Sequence, residues 1–219
     1  VDILPGENPA ERIINKAIAN REINNPENLK FAYKSYNKLK IDPDYSFIMA
    51  MPDSELNRLS SMHLFMGETV SERKYAGGTK NSETVIATKV SGLSNPYFGI
   101  LASEIQSFSF YNTFIEINQK QYLSPLCNNS PKSYLFLIRD TNYIANDTVF
   151  IIDFKPRKGK NFDGLKGTLF INTNGYAVQN VIAESNSFEN RENEMQISIQ
   201  QQYAFIKQHW FPSQLNSNF

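Results

Sequence analysis

The chain has 219 residues, of which 41% are hydrophobic and 13% aromatic, with 16 Phe and 11 Tyr. That length suits one large all-β domain or two small ones, and the aromatic excess favours pleated sheet. Its 22 basic and 22 acidic residues cancel, which argues against a nucleic-acid binder, where a basic excess is the rule. So balanced a surface also gives little electrostatic solubility and fits life beside a partner. The single cysteine, Cys127, excludes an internal disulfide. No uninterrupted apolar run approaches the ~20 residues a membrane helix needs. The first residues lack the basic region and apolar core of a signal peptide.

In chain order, the first element is a helix. Asn8 is its N-cap and Pro9 suits the first helical position. Ala10, Ile13, Ile14, Ala17 and Ile18 fall on one face, and Asn24-Asn25-Pro26 ends it. Its polar face is not strongly basic, so it reads as a helix packed on a sheet rather than on a membrane. Leu29, Phe31 and Tyr33 alternate with Lys30, Ala32 and Lys34, which starts a strand that Asp42-Pro43-Asp44 breaks. An apolar run follows over 45–51, and 52–59 reads equally as a short helix or a loop. Residues 62–75 and 83–90 read as strands joined at Gly77-Gly78. A turn cluster over 91–96 precedes a second short helix over 97–107, with Phe98, Leu101, Ala102 and Ile105 on one face.

A strand over 113–117, a loop over 122–131 and a strand over 134–138 lead into the clearest part of the chain. Strands are predicted over 147–154, 167–171, 176–183 and 195–203, the last ending near Trp210-Phe211-Pro212. Their connections are too short for helical crossovers, so they form an antiparallel meander. In 149–154 both faces are apolar, which predicts cover on both sides. In the last strand Met195, Ile197, Ile199 and Tyr203 point one way, and Gln196, Ser198, Gln200 and Gln202 the other.

No catalytic constellation stands out. Gly92-Leu93-Ser94-Asn95-Pro96 lacks the second glycine of a nucleophile elbow, and Pro96 obstructs the tight turn. His63 and His209 are far apart, without metal-ligand spacing. Asn172-Thr173-Asn174-Gly175 lacks the acidic ligands of a calcium loop and reads as a turn. Glu184, Glu189, Glu192 and Glu194 read as a solvated loop. No phosphate-cradling glycine loop is present, and no cofactor or metal is expected. Lys155, Arg157, Lys158 and Lys160 place four cations within six residues of a hairpin loop. They read either as a soluble turn or as a contact for anionic headgroups.

Several segments together carry a resemblance. They are Leu4-Pro5-Gly6-Glu7-Asn8-Pro9-Ala10 with Ile13-Ile14-Asn15-Lys16-Ala17-Ile18, then Phe110-Tyr111-Asn112, then Tyr122-Leu123-Ser124-Pro125-Leu126 with Tyr134. Phe154-Lys155-Pro156-Arg157, Phe162-Asp163-Gly164, Gly167-Thr168-Leu169-Phe170-Ile171, Gln201 with Tyr203, and Trp210-Phe211-Pro212 complete the set. The chain resembles the central domain of a Gram-negative outer-membrane protein family of unknown function. Its members have a carboxypeptidase-regulatory-like N-terminal domain, this domain and a C-terminal β-barrel. The resemblance implies a periplasmic location, attachment to the outer membrane through the C-terminal part, and partners among the flanking domains. It carries over no catalytic residue. The layout is also similar to the lipoprotein-localisation (LolA/LolB-like) half-barrel, a fold-level analogy.

The expected fold is therefore mainly β, of the α+β kind: a single curved antiparallel sheet, a half-barrel, with an N-terminal helix and one or two short helices packed on it. Residues 1–8 are expected to end a linker from an upstream domain, and 9–219 to form one domain. The expected function is non-enzymatic: a periplasmic module that binds a lipid acyl chain or another hydrophobic ligand. Its speculative groove is lined by Phe31, Tyr33, Phe150, Ile152, Ile197 and Ile199. The alternative is a structural protein–protein interaction domain with a filled core and no ligand.

Overall fold

A computed structural model describes residues 8–41, 65–76, 81–92, 109–117, 120–144, 147–186 and 197–218. The helices are α1 (Pro9–Ala19), α2 (Arg21–Asn24) and α3 (Ser130–Ser133), with a 3-10 turn at Pro26–Asn28. The first strands are β1 (Phe31–Ile41), β2 (Phe65–Tyr75), β3 (Asn81–Gly92), β4 (Phe114–Ile117) and β5 (Lys120–Leu123). The remaining ones are β6 (Tyr134–Ile144), β7 (Asp147–Pro156), β8 (Leu165–Asn172), β9 (Ala177–Ser185), β10 (Ser198–Ile206) and β11 (His209–Asn218).

The fold is mainly β with antiparallel, open sheets and an N-terminal helix, as the periodicity predicts. Among the described residues the strands divide over three sheets, of six, three and two strands, where one continuous sheet from residue 29 onward was expected. Where the sequence reading counts one domain over 9–219, the chain falls into two compact units. One, the larger, comprises Val1–Asn28 and Ser107–Phe219; the other, Leu29–Gln106, is inserted in it. The second helix expected over 97–107 and the runs over 45–59 lie outside the described residues.

The larger unit is built on the meander β6 to β11, each strand paired with its sequence neighbour. Register shifts at Ile138/Asp140, Phe170/Ile171 and Gln202/Tyr203 insert bulges, which bend and twist a sheet locally. One face of this sheet meets α1, the β4–β5 pair and the segment around Phe110 and Leu126 in one apolar core. Helix α1 starts as its sequence dictates: the Asn8 side chain accepts from the Ala10 N–H at 3.0 Å, and Pro9 opens the first turn. Ala10, Ile13, Ile14 and Ala17 are buried, and Ile18 packs at the margin. Strand β7 is buried on both faces, as predicted: Ile152 and Phe154 belong to the core, while Val149 and Ile151 are buried on the opposite side.

Strand β11 continues through Pro212, where the sequence reading stops. It is an edge strand, so the N–H that proline lacks is less missed than in the interior of a sheet. Strand β5 and helix α3 overlap the two ends of the stretch read as loop over 122–131, both too short for periodicity to register.

The inserted unit is a three-stranded antiparallel sheet, β1-β2-β3. Along β1, half-buried and exposed residues alternate without a break, and along β2 the alternation puts Phe65, Gly67, Thr69 and Ser71 inside. The side chains of β3 from Ser82 to Val90 are exposed. The inward positions are partly polar and satisfy one another: Ser35 and Ser71 share a 2.8 Å hydrogen bond, and the Ser71 hydroxyl donates to Glu83 at 2.6 Å.

Candidate functional site

Of the six positions expected to line a groove, four lie in the larger unit. Ile152, Ile197 and Ile199 are 0%, 3% and 1% exposed and belong to the main apolar core. Phe150 is partly buried against the same core. These side chains are already covered by their own chain, because α1 and the β4–β5 pair supply the apolar surface that a ligand would otherwise provide. Phe31 and Tyr33 belong to the inserted unit. Both are half-buried on β1, and the Phe31 ring stacks on Tyr33 at 5.8 Å and on Tyr75 at 5.1 Å.

The basic loop separates into one fixed residue and three exposed ones. Arg157 donates from Nη2 to Glu11 Oε1 and from Nε to the Pro131 carbonyl, both at 2.8 Å. Its backbone N–H donates to Ser133. This arginine therefore ties the β7–β8 connection to the first turn of α1 and to α3, and its charge is engaged inside the chain. Lys155, Lys158 and Lys160 are exposed.

Among the other candidates, His209 is exposed at the start of β11 with its ring 6.3 Å from that of Phe211. Glu184 pairs with Lys166 at 3.1 Å, as a surface carboxylate does. His63, Ser94, Glu189, Glu192 and Glu194 lie outside the described residues. Among the described residues no group of three His, Cys, Asp or Glu side chains is placed to hold a metal ion. No described helix is long and apolar enough to cross a membrane, which says nothing of strands.

The polar chemistry that the structure does concentrate lies at three buried phenols and at a cluster of amides. Tyr134 donates to the Leu123 carbonyl and accepts from the Leu165 N–H at 3.4 Å, joining the β4–β5 pair to β8. The Tyr111 hydroxyl accepts from the Val178 N–H at 2.8 Å. The Tyr203 hydroxyl donates to Gln201 Oε1 at 2.8 Å, and the Tyr111 and Tyr203 rings meet edge to face at 6.2 Å. Burial, which penalises the phenolate, pushes all three hydroxyls well above the ordinary phenol range. They act as neutral hydrogen-bonding struts. Gln201 is fully buried on the core side of β10, at a position that strand parity alone assigns to the apolar face.

Beside these phenols sit the residues that sequence reasoning passed over. Asn24 Nδ2 donates to the Gly175 carbonyl at 2.9 Å. Gly175 has a φ of +71°, so the Asn172–Gly175 segment is the turn its residues predict, with Asn174 N–H donating to Asn172 Oδ1 at 2.7 Å. Trp210 Nε1 donates to the Asn174 carbonyl at 3.3 Å, and Lys16 Nζ donates to the Tyr176 hydroxyl at 2.9 Å. Next to Asn24, Asn25 joins Ser109, Asn112 and Glu27 in a side-chain network. The only sequence signal for it was the pair Asn24-Asn25 at a helix end and Asn112 after two aromatics; a partner some 85 residues away is invisible to local pattern.

The family model described as "Family of unknown function (DUF5686)" matches residues 13–219. No curated protein and no solved structure matches the chain.

Proposed function

This chain belongs to the DUF5686 family of unknown function, and from that premise we propose that it is a non-enzymatic structural interaction module of an outer-membrane protein, working in the periplasm with its core filled by its own side chains. The observation that carries the filled core is the burial of Ile152, Ile197 and Ile199 in the main apolar core, at three positions where a ligand groove would need open surface. The location and the attachment to the outer membrane rest on the resemblance of the motif set, and the open antiparallel sheet with a helix on one face is in keeping with a LolA/LolB-like layout. Partners are then the flanking domains of the same protein.

The test is native mass spectrometry of protein purified from bacterial cells, with competition by a fluorescent fatty acid. A clean apo mass and no saturable probe binding are expected. A co-purified acyl ligand, displaced by the probe, would replace this reading with the second one, a hydrophobic ligand site. That second reading draws on Phe31 and Tyr33, whose stacked rings are half-buried rather than sealed in a core. A headgroup contact at the basic loop is carried by Lys155, Lys158 and Lys160 without Arg157, whose guanidinium is occupied by Glu11. Its check is salt-sensitive binding to anionic vesicles, lost when the three lysines are replaced by Ser.

A further inference from the structure

The chain leaves the larger unit after Asn28 and returns to it at Ser107. The outgoing and returning segments are bonded directly to each other. Asn25 is the hub: its Oδ1 accepts from the Ser109 hydroxyl at 3.0 Å and from the Glu27 N–H at 3.1 Å, and its Nδ2 donates to Asn112 Oδ1 at 3.3 Å. Asn112 Nδ2 then donates back to Glu27 Oε2 at 3.1 Å. The network is anchored in the core on both sides. Tyr111, between Ser109 and Asn112, is buried with its N–H donating to the Ser109 hydroxyl and its own hydroxyl accepting from Val178. On the other side, Asn24 is held by Gly175 and Pro26 is buried.

We propose that Asn25, Glu27, Ser109 and Asn112 form a latch that closes the stem of the inserted unit, so that the larger unit keeps its fold when the inserted unit is unfolded. An unfolded insert is a long flexible loop, and bringing its ends together costs chain entropy. Closure by the inserted sheet alone would need no bonds between the two ends on the side of the larger unit. Here those bonds exist, they use both the oxygen and the nitrogen of the Asn25 amide, and every residue in them belongs to the larger unit. The core agrees: among the described residues, those of the main apolar cluster all belong to the larger unit.

The test uses the full chain. Trp210, the single tryptophan, is buried in the larger unit and reports it alone. Thr69→Pro, in the central strand of the inserted sheet, removes ladder hydrogen bonds that the sheet needs. In this variant hydrogen exchange over Phe31–Ile41, Phe65–Tyr75 and Asn81–Gly92 is expected to lose its protection. Exchange over β6 to β11 and the Trp210 emission maximum are expected to stay as in the wild type. Adding Asn25→Ala and Asn112→Ala should lower the urea midpoint read by Trp210, and by more in the Thr69→Pro background than in the wild-type background. Loss of the Trp210 signal with Thr69→Pro alone overturns the proposal, and so does an equal drop in both backgrounds. Should Thr69→Pro fail to accumulate, exchange of the wild-type chain across a urea series decides. Protection of the inserted strands is expected to vanish at lower urea than the Trp210 transition, and coincident transitions reject the latch.

Discussion

The two units use the same alternation of side chains to different ends. In the larger unit, inward positions of β7 to β10 are almost all apolar and are sealed by a helix and a hairpin. In the inserted unit, inward positions include Ser35, Asn37, Thr69 and Ser71; hydrogen bonds join Asn37 to Ser35, Ser35 to Ser71 and Ser71 to Glu83. Period-two alternation thus specifies which way a side chain faces, and it does not specify how deeply that face is buried. Depth is decided by what the rest of the chain lays over the sheet. A unit held by burial and a unit held by strand pairing and polar pairs should respond differently to the same kind of substitution.

The largest difference is expected from truncating apolar side chains. Ile152→Ala in β7 removes a fully buried side chain and should cost about 4 kcal/mol in urea unfolding followed by Trp210 emission. Val85→Ala in β3, where the side chain is 49% exposed, should stay within about 0.5 kcal/mol, read by hydrogen exchange over β1 to β3. Equal costs would break the comparison. Next comes a pair of glycines in the larger unit. A Cβ on Gly167 would lie 2.0 Å from the Ile182 carbonyl oxygen, where the backbones of β8 and β9 approach, so Gly167→Ala should cost about 3 kcal/mol. Gly159→Ala, with a φ of +76° and open space around its Cβ, should cost only the backbone strain of about 1 kcal/mol. Thermal unfolding of the two variants checks this.

Within the inserted unit, Ser71→Ala should sharpen the contrast. It removes a fully buried hydroxyl that bonds both Ser35 and the exposed Glu83 carboxylate, and about 1 kcal/mol is expected, read as faster exchange over β1 to β3. The smallest effect at neutral pH concerns the buried phenols. Their protonated form is favoured in the folded state, so the stability they contribute is complete below the ordinary phenol value of 10.0 and declines as pH rises above it. Ultraviolet titration should show Tyr111, Tyr134 and Tyr203 ionising only as the larger unit unfolds. Early ionisation of all tyrosines with Trp210 still native would reject that.

The start of α1 was legible because its signals are local: Asn8 caps, Pro9 opens, and the spacing of Ala10, Ile13, Ile14 and Ala17 marks one face. The meander was legible for the same reason, with the ends of β7 to β10 displaced by at most three residues, while β6 runs on to Ile144 from an expected end at Ile138. What escaped depends on distance. Nothing near Arg157 announces Glu11, and nothing near Asn25 announces Asn112. The groove residues were chosen for being apolar and alternating, properties that core-filling and ligand-lining side chains share. Only what the rest of the chain packs over the sheet separates the two roles for Ile152, Ile197 and Ile199.

Pro212 carries a further consequence. A bare strand margin offers a row of hydrogen-bonding groups on which any extended peptide can template itself, and such margins are where proteins stick to one another. In β11 one of those groups is missing at Pro212, beside a bulge that breaks the rhythm of the rest. At the opposite margin β6 has its own bulge, next to the charged Arg139 and Asp140. On β1 exposed lysines stand at 34, 38 and 40. At these margins the molecule discourages growth by accretion.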